Sequence, residues 1–133
     1  MRSWHDYRLV GYSVDGVQKE VTLRLLWTES SQPEVKAADV VFSGVLDYLM
    51  EGDLGTNIIA AIAEAPIEPF VRENAPLFER EQKFGWPRSW KGGINETVAH
   101  LKKSGAKLWI ITSSYGLGGW VLASGATEHA KAA

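Results

Sequence analysis

The chain has 133 residues, a formal net charge of −2 at pH 7, 45% hydrophobic and 23% charged residues, and no cysteine. That length fits one domain with a real core, because a chain of about 150 residues hides roughly two-thirds of its unfolded surface. The charge balance argues against a domain that holds nucleic acid by neutralising phosphates. The lack of cysteine removes disulfides, thiolate nucleophiles and cysteine-based metal or cluster sites, and it points to the cytoplasm. The opening "MRSWHDYRLV" has no signal-peptide core, and the longest strongly apolar run, "NIIAAIA", is far short of the ~20 residues of a membrane span. A soluble protein without membrane association is expected.

"RLVGYSVDGVQKEVTLRLLWT" reads as a β-hairpin. Val10, Tyr12 and Val14 alternate on one face of its first strand; Val21, Leu23, Leu25 and Trp27 alternate in its second. Asp15 and Gly16 mark the turn, across a loop of two or four residues. "ESSQPEVK" is a polar connection. In "ADVVFSGVLDYLME" the β-branched and aromatic residues Val40, Val41, Phe42 and Val45 favour a strand. Residues 56–65 are ambiguous between helix and strand; the short run ended by Pro66 leans to a fourth strand paired with the third across the turn "GDLGTN". "PIEPFVREN" and "APLFEREQKFG" read as two short helical pieces, with Pro76 breaking what would be one helix. "INETVAHLKKSG" is the clearest helix. Ile94, Val98 and Leu101 share a face, Lys102 and Lys103 sit in the last turn, and Gly105 suits the cap. "AKLWIITSSY" and "GWVLAS" follow as strands.

Strands, then helices, then a closing hairpin predict an α+β fold. Its expected form is a mainly antiparallel sheet built from hairpins, with two or three short helices on one face. One domain is expected over residues 1–125. Residues 126–133, with nothing to bury, read as a disordered tail.

Few stretches carry chemistry. "SSYGLGGWVLAS" has neither the spacing nor the strand-to-helix setting of a dinucleotide loop, and it lacks a nucleophile elbow. It reads as a hairpin turn with Trp120 and Leu122 on one face. His5 and Asp6 are adjacent, so in a strand they would point to opposite sides. His5, His100 and His129 are scattered and form no metal-ligand pair. No metal site, cofactor or catalytic residue is expected. The most unusual stretch is "KFGWPRSWKGG", where Trp86 and Trp90 are interleaved with Lys83, Arg88 and Lys91. Tryptophan and arginine dominate binding hot spots, so Trp86, Arg88, Trp90 and Lys91 form a candidate partner-binding loop. The competing reading is that both tryptophans anchor the loop to the core.

The segments "WHDYRLVGYSVDG", "VVFSGVLDY" and "SSYGLGGWVLAS", in that order, resemble small bacterial single-domain proteins of the polymorphic-toxin immunity type. The resemblance implies a stoichiometric, non-enzymatic binder of a protein partner such as a toxin domain, with His5 and Asp6 structural at a strand start. The loop with Trp86 and Trp90 matches nothing in that class. Two other readings stay open. One is a small ligand-binding domain or enzyme with that loop at its mouth, using His5 and Tyr115 as possible pocket residues beside Arg88. The other is a structural domain that pairs as a homodimer.

Overall fold

The computed structural model describes residues 1–131 and has an α+β fold. Eight strands, β1 (Arg8–Asp15), β2 (Glu20–Leu26), β3 (Ala37–Ser43), β4 (Asp47–Glu51), β5 (Asn57–Ala65), β6 (Lys107–Tyr115), β7 (Gly118–Ala123) and β8 (Gly125–Lys131), form one antiparallel sheet. Two helices, α1 (Ile67–Glu81) and α2 (Ile94–Lys103), lie between β5 and β6 in the chain. Among the described residues, no helix is long and apolar enough to cross a membrane.

The strand order is β4-β7-β6-β5-β1-β2-β3-β8. The two ends of that order are joined through the chain. β7 runs into β8 across Ser124, and β3 reaches β4 after a bend at Gly44, whose φ is +63°. Ser124 donates its N–H to the Ser43 carbonyl (2.9 Å) and Leu46 donates to the Leu122 carbonyl (2.8 Å), so the β3–β8 ladder continues into β4–β7. The sheet therefore curls round and closes on itself. Packing across the interior agrees. In a flat sheet β3 and β6 would stand four spacings, about 19 Å, apart, yet the rings of Phe42 and Trp109 have centroids 5.5 Å apart.

This closure creates two apolar cores. Leu9, Val21, Leu23, Val40, Phe42, Ile59, Trp109, Ile111 and Val121 fill the inside of the curl. Leu108, Trp120 and Leu122 point outward, where Phe70, Val71 and Phe78 of α1 and Val98 and Leu101 of α2 cover them. β6 and β7 are thus apolar on both faces, as strands between two packed layers must be.

Several expectations change. The first hairpin forms with a four-residue loop, held by the Asp15 Oδ1 atom accepting the N–H groups of Val17 (3.0 Å) and Gln18 (2.9 Å). A register shift between Leu9 and Gly11 moves Val10 off the inner face. Leu9 is buried instead, and Val10 is 48% exposed. A β-bulge of this kind resets the alternation that sequence spacing assumes. Residues 57–65 are a strand, but they pair with β6 and with the start of β1, not with the third strand. "ADVVFSGVLDYLME" is two strands, because the bend at Gly44 sends β4 to a different neighbour.

The two helical pieces are one helix that contains Pro76. Phe70, Val71, Ala75 and Phe78 bury one side of it on both flanks of the proline. Pro76 is itself exposed, so the hydrogen bond it removes frees an acceptor that water can satisfy. Residues 126–131 are not a frayed tail. β8 pairs with β3 along its length, with Ala38↔Ala130 and Phe42↔Ala126, and Ala126 packs against the inner core. Residues 132 and 133 of that expected tail lie outside the described residues.

Gly119 marks the closest approach in the sheet. A Cβ there would run into the Leu49 carbonyl oxygen, a backbone atom that cannot swing aside. Gly119→Ala should therefore lift β4 from β7 and cost about 1–3 kcal/mol. A denaturant midpoint equal to that of the parent would refute this.

Asn57 is buried and ties three segments together. Its Oδ1 atom accepts the N–H groups of Leu54 (3.1 Å) and Leu117 (2.8 Å), and its Nδ2 donates to the Leu9 carbonyl (3.3 Å) and to Asp53 Oδ1 (3.0 Å). The Asn57 amide, and next the Gly55 N–H, hold the Asp53 carboxyl below its ordinary value of 3.8, against a smaller opposing effect of burial. A depressed folded-state value means that this contribution is present above pH 3.8 and is lost as the pH falls through the lower folded value. Asn57→Ala should move the Asp53 titration midpoint, followed by carboxyl NMR, back upward.

Candidate functional site

One cleft has a volume of about 660 Å³, within the range of 300–1,000 Å³ typical of ligand sites. One wall is the β1–β2 hairpin, with Tyr12, Val14, Asp15, Lys19 and Glu20. The second is the whole run from Val45 to Met50. The third is the loop between the helices, with Trp86, Arg88, Ser89 and Lys91, and His100 of α2. Lining by six consecutive residues is informative. A cleft over one face of a strand would meet every second side chain, whereas this one runs along the backbone edge of β4. Among the described residues β4 pairs only with β7, so alternate N–H and C=O groups on its other side have no strand partner there.

The loop is placed by Asp47, at the start of β4. This carboxylate is 5% exposed. Its Oδ1 accepts the Arg88 N–H (2.9 Å) and its Oδ2 accepts the Ser89 N–H (2.9 Å) and the Ser89 hydroxyl. Buried charge is tolerated where hydrogen bonds replace water, and three donors do so here. Thr97 adds a second clamp by accepting the Lys91 N–H at 2.9 Å. The Ser89 hydroxyl is thus committed to Asp47, and both groups hold the loop in place.

The residues singled out from sequence separate accordingly. Trp90 is 7% exposed, stacks edge-on against Phe78 with centroids 6.1 Å apart, and does not line the cleft. Trp86 is half-buried. It packs against Phe78 and Trp120 (5.7 and 5.8 Å) and also lines the cleft. Arg88 and Lys91 are exposed on the cleft wall.

His5 and Tyr115 do not join them. Tyr115 is 54% exposed at the far end of β6, opposite Ile58. His5 lies against the Ala60 carbonyl (3.3 Å) and Asp6 (3.3 Å). The expectation that His5 and Asp6 point apart fails because they sit in a turn, with Asp6 at φ +68°, and not in a strand.

The sequence reading missed Asp47, Tyr12, Tyr48, Lys19 and the placement of His100. Asp47 left one trace, as a lone carboxylate inside the apolar run "GVLDYLM". A buried acid in a strand must find donors, and the adjacent loop supplies them.

Charge in the cleft is uneven. Asp15 accepts two backbone N–H groups on Oδ1, Asp47 accepts two on its two oxygens, and Glu20 makes no ion pair among the described residues. Lys19, Arg88 and Lys91 make no ion pair among the described residues. The lining thus carries three cations and three carboxylates, but Asp15, Glu20 and Lys19 stand on the hairpin wall and Asp47 is buried, so the exposed charge of the loop wall is positive, from Arg88 and Lys91.

Fold and cleft together define a small α+β protein with a curled antiparallel sheet and an opening at a strand edge beside the exposed Arg88 and Lys91. Comparisons with protein-family models, curated proteins and solved structures find no match.

Proposed function

We propose that this chain is a non-enzymatic binding module that captures a protein partner in the cleft between β4 and the loop of residues 86–91. The observation that carries this reading is the pairing of a preformed, partly apolar opening with exposed, unpaired cations, on a loop fixed from behind by Asp47, Thr97 and Trp90. A rigid loop loses little conformational freedom on binding. Trp86, Arg88 and Lys91 supply the contacts, and Trp90 supplies the anchor. Neutralisation of a toxin domain in the cytoplasm is the sharpest form of this reading, and it rests on the sequence resemblance.

The test is a tagged capture from the native host at low salt, with partners identified by mass spectrometry. One stoichiometric partner is expected, and Arg88→Glu with Lys91→Glu should lose it while the melting curve stays unchanged. Recovery of the bait alone, or equal capture by the double variant, would sink the proposal.

A further inference from the structure

We infer that the cleft binds its partner by strand addition. An extended segment pairs through its backbone with the free edge of β4, and that segment alternates acidic with apolar side chains. The inference rests on the binding reading above and names its mode and the chemistry of the ligand.

Three observations lead there. First, the cleft follows the edge of β4 over consecutive residues and not one face of it. Among the described residues β4 has a strand neighbour on one side only, so the groups meeting an occupant include backbone donors and acceptors. A chain in extended form satisfies such groups without side-chain specificity.

Second, the two sides of β4 differ. Tyr48 and Met50, with Tyr12 across the cleft, pack toward the inner core. Leu49 and Trp86 pack toward the helical core, where Arg88 and Lys91 also line the opening. Successive side chains of an added strand point to opposite faces. One set would meet aromatic and apolar surface, and the alternate set would meet cations.

Third, those cations lack ion-pair partners, and Lys91 Nζ donates only to the Arg88 carbonyl (3.5 Å) among the described residues. Neither Arg88 nor Lys91 has a carboxylate partner among the described residues, and the nearby Asp47 is buried and accepts three N–H and hydroxyl donors. Acidic side chains in the alternate positions would complete them, with the bidentate geometry that arginine favours. The pattern read from the cleft is therefore acid–apolar–acid–apolar.

The experiment uses the full chain and synthetic hexapeptides with blocked ends, and binding is followed by calorimetry and tryptophan fluorescence. The probe alternates Glu with Val or Phe. The first control carries Lys in place of Glu, and the second has the same composition with its acids in one block. Two further versions carry N-methyl groups on alternate amides, in one phase or the other.

Binding of the alternating acidic probe is expected, with at least a tenfold loss for the Lys and block controls. Arg88→Glu with Lys91→Glu should also lose at least tenfold. N-methylation in one phase should abolish binding and in the other leave it within about twofold, because only alternate amides of an added strand face its neighbour. Equal sensitivity to both phases would overturn strand addition, as would tighter binding of the Lys probe or binding of no probe. Dimerisation of the protein by sedimentation, lost in the charge-reversed variant, would assign the edge to a second copy and overturn the inference. If the host partner is captured through Arg88 and Lys91 while every peptide fails, this inference falls and the binding function stands.

Discussion

Replacing Trp90 with alanine is expected to destabilise the protein by about 3–5 kcal/mol, the cost of truncating a buried tryptophan. The melting temperature should fall by on the order of 10 °C or more. The reason is placement and not residue type. Trp90 is held against Phe78, in the same cluster as Leu101, Leu108 and Trp120, and its removal opens a cavity between the helices and the outer face of β6 and β7. Trp86→Ala should cost less stability, because that ring is half-buried, and more binding, because it lines the cleft. Chemical denaturation of both variants separates the two roles. A Trp90→Ala midpoint within error of the parent would show that the ring is not part of the core.

The second large effect is expected at Asp47. Asp47→Ala strips the acceptor from two backbone N–H groups and one hydroxyl at once. Each buried donor left without a partner costs about 1–3 kcal/mol. Water can reach part of the opened loop, so a net loss of about 3 kcal/mol is expected, below the sum of the three. Asp47→Asn retains one acceptor oxygen but sets an NH₂ group against a donor, and it should recover only part of that loss. Hydrogen exchange locates the effect: the Arg88 and Ser89 amides should exchange faster in either variant, while those of β2 and β3 stay protected. Unchanged protection at Arg88 and Ser89 would mean that the carboxylate does not hold the loop.

These two residues show how the candidate site was and was not legible. Trp86, Arg88 and Lys91 stood out because tryptophans and cations alternate in a Gly- and Pro-rich loop, and all three reach the cleft. Trp90 carried the same local signal and lies in the core. Nothing within the loop separates the two rings; the position of Phe78, twelve residues upstream of Trp90, does so. The other walls come from residues some forty and seventy positions earlier in the chain, and each looked ordinary in its own neighbourhood.

The sequence by itself determined the α+β class, the first hairpin with its turn at Asp15, the helix over Ile94–Lys103 with its buried Val98 and Leu101, and the closing hairpin of β6 and β7. All of these depend on signals between near neighbours: apolar period, turn chemistry and caps. Tertiary structure alone decided the pairing of β4 with β7, the ladder from β3 to β8 and the continuity of α1 through Pro76. A strand's own residues fix which way its side chains alternate, but its neighbour is chosen by apolar surface elsewhere in the chain. That choice curls the sheet, buries Trp90, and leaves one edge of β4 unpaired beside Arg88 and Lys91.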